Sequence, residues 1–511
     1  MAISVSLLSG KKSLLATTIG AARTCYSGSG PIVLEDIAAQ SELSERIRVS
    51  TLQAGHNTTR QHGAYTFVIE GVSRQVIWSF LHSHPFYNSE QVSQRYVEVK
   101  KDNFIVPEGL NEVQREVFEE GIQLTFGAYK KLQDLLYPHA EEAYYSLFPI
   151  RKKNVKKEWT GTIKKRTQEV ARYILPLAAS SYLYHTVSPL TLMRMYQCAN
   201  HFNVPREQKK LVEAMVAEVC AQDVTFAREL ENLKKYDLEE SLEYKLHQRF
   251  GLGFQRDFSH EFDEELGDSI SSLVGYDVFA QENLARAVRS IVQVSSQDMP
   301  DEEALEFLLN SRHNTALGDT NNVMTLTRLG SAMAQVTYTF MKKLSHTGDS
   351  QNQRHRMTPE TTPIFYVGEK PDVVVASLIE EVPAAKEYFL EKCDELWKII
   401  GRLRESGANE EVVQYLAPNA IAVRFLEQGD LRNLHHKYRM RLCYNSQEEI
   451  WRSSVEEVQQ IKAVHPIIGK YLLPPCTIRK DAEARPICPE GTRYCGVQVW
   501  KLGVEDYVRT I

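Results

Sequence analysis

The apolar and polar positions alternate in two different rhythms along the first half of the chain. ISVSLL, near the start, reads as a short strand followed by a helix. AYTFVIEGVS (64–73) has the period of two expected of a half-buried strand, and RQVIWSFLHSH (74–84) switches to helical spacing. NEVQREVFEEGIQLTFGAYKKLQDLLY (111–137) holds apolar residues at three-and-four spacing and predicts a long amphipathic helix. The basic run RKKNVKKEWTGTIKKR (151–166) predicts a solvated connection between helices, with a phosphate patch as the alternative. ARYILPLAASSYLYHTV (171–187) and a helix around 189–222 complete this half. Residues 233–268 are charged and read as a partly helical interdomain connection.

The second half then repeats the order. GHNTT (55–59) is echoed by RHNTA (312–316), EQVSQRYV (90–97) by DSQNQRHR (349–356), and ARYILPLA (171–178) by VQYLAPNA (413–420). SPLTLMRMYQCANHFNVPRE (188–207) is echoed by DLRNLHHKYRMRLCYNSQEE (430–449). Four echoes in one order imply an internal duplication of a unit of about 230–240 residues. The expected organisation is a first repeat over 1–232, a connection over 233–268 and a divergent second repeat over 269–511. A duplicated globular domain implies a fused pseudo-dimer with a homo-oligomeric ancestor.

Composition narrows the partners. The 511 residues carry a net charge of -6, which argues against a general polyanion binder, so no nucleic acid is expected. No apolar run approaches the roughly 18–20 residues of a membrane span. The N-terminal stretch lacks a basic-then-apolar signal layout, and eight dispersed cysteines suit a reducing cytoplasm. Cys476, Cys488 and Cys495 cluster in a Cys-containing tail. Three thiolates could belong to a zinc site, which usually takes four ligands, but no CxxC pair is present. A loop-rich cap with free thiols is preferred, and no metal is assigned.

At this point the residues resemble a family. GHNTTRQHGAYTFVIEGVSRQVIWSFLHSHPFYNSEQVSQRYV (55–97) is similar to the core of flavin-dependent thymidylate synthases, which joins a G-H-x-[ST] start and an F-T-F-x-I-E-G-V-S-R strand to an R-H-R…S-x-R-Y signature. AARTCYS (21–27) looks like the family's first helix, ARYILP like its A-R-x-x-L-P, and LRNLHHKYRMRLCYNSQEEIW (431–451) like its helix ending in R-x-x-x-x-A-x-W-E-I. The tail PPC…ICPEGTRYCG looks like the family's C…CPEG…CG. The resemblance implies an α+β fold with two tandem thymidylate synthase-like domains forming a pseudo-dimer. It implies a methyltransferase that uses FAD, reduced by NADPH, to move the methylene of methylenetetrahydrofolate onto C5 of dUMP and reduce it to methyl. A homodimer resembling a pseudo-tetramer would replace the family's four subunits.

The resemblance also distributes roles. Arg95 would hold the dUMP phosphate, because a guanidinium offers charge-assisted, bidentate donors. Read locally, it could equally be a salt-bridged arginine in a surface turn. Ser93, Gln94, Gln91 and Ser79 would join it on the substrate side, and Arg172 would be a second nucleotide contact. Arg441 would face the uracil and act as the catalytic residue, stabilising negative charge on the ring. On the FAD side, His56 and Thr58 keep H-x-[ST], and Asp430, Arg432 and Arg439 would come from the other repeat. The R-H-R triplet becomes His82-Ser83-His84 in the first repeat, which would take its place as FAD contacts because imidazoles can hydrogen-bond a pyrophosphate or ring. In the second it becomes Lys342-Lys343-Leu344, so the arginines themselves are expected to be lost.

The losses look complementary. The first repeat keeps Ser93, Arg95 and Arg172 but has Ala199 where the second has Arg441. The second is expected to place Asn352 at Ser93, Arg354 at Arg95 and Gln414 at Arg172. One live composite site and one dead site per chain are therefore expected, with Arg354 in the dead one. A flavoenzyme acting on another pyrimidine nucleotide, or a non-catalytic nucleotide-binding homologue, are the competing readings.

Overall fold

The computed structural model describes the chain apart from residues 1–2, 10–13, 29, 154–155, 202–203, 252, 254–255 and 510–511. Parts of the basic run at 151–166 and of the connection at 233–268 therefore lie outside the described residues. Strands β1 (Ser4–Ser9), β2 (Tyr65–Ser73), β3 (Tyr87–Gln91) and β4 (Ser180–Val187) form an antiparallel sheet in the order β1-β2-β4-β3. Strands β5 (Ser271–Tyr276), β6 (Thr337–Ser345) and β7 (Ala422–Asp430) form a second antiparallel sheet in the order β5-β6-β7.

The principal helices of the first repeat are α1 (Arg74–His82), α2 (Glu112–Leu147), α3 (Lys157–Ala171), α4 (Pro189–Gln197) and α5 (Arg206–Cys220). Those of the second are α6 (His346–Asn352), α7 (Pro383–Glu405), α8 (Leu431–Arg441) and α9 (Glu448–Val464). The helix expected around 189–222 is two helices, α4 and α5. Helix α2 runs a further ten residues past its expected end at 137, through Pro138 to Leu147. The basic run is itself mostly helical, its second part opening α3.

Alternating burial of Tyr65, Phe67 and Ile69 turns one face of β2 onto the first repeat's own core. Two further cores draw on both repeats: one joins Trp78, Phe118 and Leu177 to Leu344, Leu396 and Leu416, and the other joins Leu132 and Leu136 to Phe389 and Cys393. Gly121 lets α2 approach closely, because an added Cβ would meet the Leu416 methyls at 3.0 Å.

The repeats cross at Pro176 and Pro418, which form an antiparallel bridge. Around it the backbone bonds come in matched pairs. Leu177 N donates to Ala417 O and Asn419 N to Leu175 O, both at 2.8 Å. Ala178 N donates to Tyr415 O at 2.7 Å and Ala420 N to Tyr173 O at 2.8 Å. Side chains follow the same exchange: Tyr415 donates to Glu207 and Tyr173 to Glu449. Glu207 accepts from the backbone and hydroxyl of Ser73, as Glu449 does from Ser345. These pairs equate Arg172 with Gln414 and Ala199 with Arg441, as the sequence echoes anticipate.

They also correct one echo. Ser73 caps α1 through Val76 N, and Ser345 caps α6 through Gly348 N. Counting from these caps, His82-Ser83-His84 corresponds to Arg354-His355-Arg356. Lys342, Lys343 and Leu344 lie on β6, and Asn352 lies in α6. The R-H-R triplet is therefore retained in the second repeat, and Arg354 and Asn352 are not the counterparts of Arg95 and Ser93. The false register arose because SQRY and NQRH share a local pattern while sitting on a turn and a helix end. A β-bulge widens the difference: β2 shifts register around Gly71, at φ 72°, whereas β6 pairs with β7 without interruption.

Candidate functional site

A cleft of about 650 Å³ opens where the two repeats meet. The first repeat contributes Gln91 from the end of β3, Ser93, Gln94 and Arg95 from the turn after it, and Arg172 from the end of α3. The second contributes Gln351 and Arg354-His355-Arg356 from the end of α6, with His436 and Arg441 from α8. Arg441 and the Ser93–Arg95 turn thus border one cavity.

Short-range bonds shape the turn. Ser93 Oγ accepts from Arg95 N at 3.3 Å, while Ser93 O accepts from Tyr96 N and Val97 N at 3.1 and 3.0 Å. Arg95 Nη2 reaches across to Asn445 O at 2.7 Å and its guanidinium pairs with Glu169. Asn419 Nδ2 donates to Arg172 O at 2.9 Å and to Gln94 Oε1 at 3.3 Å, so a second-repeat side chain ties the first repeat's two contacts together.

Arg441 is held by the R-H-R segment. Its Nε donates to His355 Nε2 at 2.7 Å and its Nη2 to Gln351 O at 2.8 Å. Arg354 makes two bonds to Glu90 at 2.9 Å, and Arg356 lies 5.0 Å over the Tyr87 ring.

The cleft lining carries six arginines, Arg74, Arg95, Arg172, Arg354, Arg356 and Arg441, against one carboxylate, Glu90. Burial, then Arg354 and Arg95, push Arg441 down to about 10. Burial and Arg172 do the same to Arg74, also about 10. Burial lowers Arg172 as well, against the pull of Glu169. Arg95 is instead raised: burial opposes, but Glu169 prevails. Polar atoms remain without protein partners at Arg172 Nη2, Arg74 Nε and Gln94 Nε2. Crowded, desolvated cations with spare donors form a receptor for a compact anion such as a phosphate.

Other expected positions lie elsewhere. Ser79 and Ser83 do not line the cleft, and Ser83 Oγ donates to Phe80 O at 2.7 Å. His56 and Thr58 are exposed around a short 3-10 turn, Asn57–Gln61. Asp430 caps α8, accepting from Asn433 N at 2.8 Å. Arg439 donates to Asp319 O, and Arg432 is likewise absent from the lining. His82 and His84 border a smaller adjoining cavity of about 100 Å³ with His355 and Arg356. Burial pushes His84 down to about 4, so it is neutral. Missed by sequence reasoning were Arg74 and the Arg354–Arg356 triplet as cleft residues, and Asn419 as the side chain that ties Gln94 to Arg172. The triplet was visible as literal R-H-R, but only the matched serine caps set its register. In the tail, Cys476, Cys488 and Cys495 border a void of about 20 Å³ with Cys443.

The family model for "Thymidylate synthase complementing protein" matches residues 7–223 and 272–467, once in each repeat. A flavin-dependent thymidylate synthase of Clostridium tetani is 28% identical over 225 residues, covering 43% of this chain and 83% of that one. One of Geobacter sulfurreducens is 34% identical over 131 residues, covering 25% of this chain and 55% of that one. The crystal structure of a UMP/dUMP methylase, PolB, from Streptomyces cacaoi covers 46% of this chain and 97% of that one at 15% identity. Its TM-score of 0.32 adds no weight either way. With both repeats matched over most of their length, the chain belongs to the thymidylate synthase complementing protein family and carries its α+β fold as two tandem domains in a pseudo-dimer.

Proposed function

We propose that the chain is a flavin-dependent thymidylate synthase with one composite active site, which methylates dUMP using methylenetetrahydrofolate, with FAD reduced by NADPH. The observation that carries this reading is the single cleft in which Ser93, Gln94, Arg95 and Arg172 of one repeat face Arg354-His355-Arg356 and Arg441 of the other. In this reading the domains run over 1–232 and 269–511, with 233–268 between them.

The nucleotide phosphate docks between Arg95 and Arg172. Arg172 has a spare Nη2, and the neighbouring Gln94 has a spare Nε2. Ser93 and Gln91 complete the polar wall. Arg441, anchored by His355, stabilises negative charge on the pyrimidine ring. The donor set suits a flavin dinucleotide: Arg354 and Arg356 are the fixed cations that a dinucleotide pyrophosphate needs, and His355 is neutral between them. The bound flavin supplies the reducing electrons; the chain binds, orients and keeps water out. The site opposite has Ala199 and Gln414 in place of Arg441 and Arg172 and is inactive.

The test combines two measurements. The purified protein should show a flavin absorption spectrum. It should also release tritium from 5-labelled dUMP only when NADPH and methylenetetrahydrofolate are both present. Release from labelled UMP in preference to dUMP would redirect the reading to another pyrimidine nucleotide. Nucleotide binding without flavin or turnover would leave a non-catalytic binder.

A further inference from the structure

Beside the cleft, three metal-ligating side chains from both repeats converge. His82 ends α1 of the first repeat, Asp349 lies in α6 of the second and Glu360 follows the R-H-R segment. Their nearest donor atoms all lie within 4.8 Å of one another. His82 Nε2 stands 3.4 Å from Asp349 Oδ2 and in close contact with Glu360 Oε1.

Each member is oriented from behind. His82 Nδ1 lies 2.7 Å from Trp78 O, and a carbonyl only accepts, so Nδ1 carries the proton. In the neutral ring Nε2 is then a lone pair facing two carboxylates. Trp78 Nε1 donates to Asp349 Oδ2 at 2.7 Å, and Asn352 Nδ2 donates to Glu360 Oε2 at 3.0 Å. Outer hydrogen bonds of this kind are what fix the tautomer and aim of metal ligands. Asp349 is 1% exposed, yet its Oδ1 has no hydrogen-bond partner. A lone pair and two carboxylates pointed at one spot need a positive charge between them, which either a proton or a metal ion can supply.

We propose that His82, Asp349 and Glu360 bind a divalent first-row cation, zinc or manganese, as a clamp between the two repeats. One imidazole nitrogen and two carboxylate oxygens suit those ions, and two carboxylates balance the ion's charge with the imidazole neutral. The adjoining cavity of about 100 Å³, which His82 and Glu360 both line, leaves room for water at the open coordination positions. Because Asp349 and Glu360 bracket Arg354-His355-Arg356, the ion would also hold that triplet against the first repeat. This site departs from the sequence-based expectation of no metal, and it stands whether or not the cleft methylates dUMP.

The test uses the full chain without substrate. Metal analysis after purification in chelator-free buffer should find one zinc or manganese per chain. Stripping with EDTA should lower the melting temperature, and adding back Zn²⁺ or Mn²⁺ should restore it. Glu360→Gln and Asp349→Asn, which keep shape and outer hydrogen bonding, should each weaken Zn²⁺ or Mn²⁺ binding at least 100-fold by calorimetry. Their circular dichroism should match that of the wild type, and His84→Gln should bind metal normally. Two outcomes overturn the proposal. One is a metal-free wild type in which neither ion binds or shifts melting, leaving a proton-bridged triad. The other is metal binding that Glu360→Gln and Asp349→Asn leave intact.

Discussion

Arg441 Nε donates to His355 Nε2 at 2.7 Å, joining the cleft arginine of α8 to the middle residue of the R-H-R triplet. Burial, then Arg441, hold His355 well below its usual range, so it is the neutral partner this bond needs. Arg441→Ala should lower turnover about 100-fold or more, the scale of losing one preorganised charge-stabilising donor. His355→Gln retains an acceptor for Arg441 and should keep more activity than His355→Leu. Equal losses in the two His355 variants, measured as kcat at saturating dUMP, would show that the bond does not position Arg441.

Arg354 lines the same cleft as Arg441. Arg354→Ala should therefore reduce activity by about 10-fold or more, in line with removal of a charge-assisted contact to an anionic ligand. Its two bonds to Glu90 predict that Glu90→Gln has a smaller effect, because the arginine remains. Full activity in Arg354→Ala would return this residue to the inactive half.

The crossed Tyr–Glu pairs are the interlock of the pseudo-dimer. Glu449 is buried and accepts from Ser345 N, Ser345 Oγ and Tyr173 OH, and Glu207 does the same with Ser73 and Tyr415. Removing either carboxylate strands several buried donors. Glu449→Ala and Glu207→Ala should each cost about 3 kcal/mol. Chemical denaturation of both variants checks this, and a loss below about 1 kcal/mol in either would contradict the interlock.

Acid should weaken the fold. Burial, then His84 and Arg356, push His185 down to about 3; burial, then Arg439 and His436, push His435 down to about 4. Their folded values lie below the unfolded value near 6.5. The unfolded chain therefore binds more protons as pH falls below about 6.5, and stability falls with it. At pH 5.5 each histidine should cost roughly 1.4 kcal/mol relative to pH 7.5. His185→Phe, with no group to titrate between Phe80 and Tyr87, should show a shallower fall in melting temperature over that interval. An unchanged pH slope would rule His185 out as a source.

The sequence by itself determined the local elements and the duplication. The alternation in AYTFVIEGVS, the long apolar stripe of α2, the ARYILP and QYLAP echoes and the exchange of Arg441 for Ala199 all depend on near neighbours. Local patterning reports on near neighbours well. Register across distant segments is different. QRY at 94–96 and QRH at 353–355 look alike, but one closes a turn after a strand and the other ends a capped helix. The Gly71 bulge, present in one copy and missing from the other, removed the count that would have separated them. Only tertiary structure brought Arg354-His355-Arg356 into the cleft, set His82 against Asp349 and Glu360, and left His56 and Thr58 outside it. The physical reason is the antiparallel crossing at Pro176 and Pro418: it sets residues from opposite halves side by side, a relation that no window of consecutive residues contains.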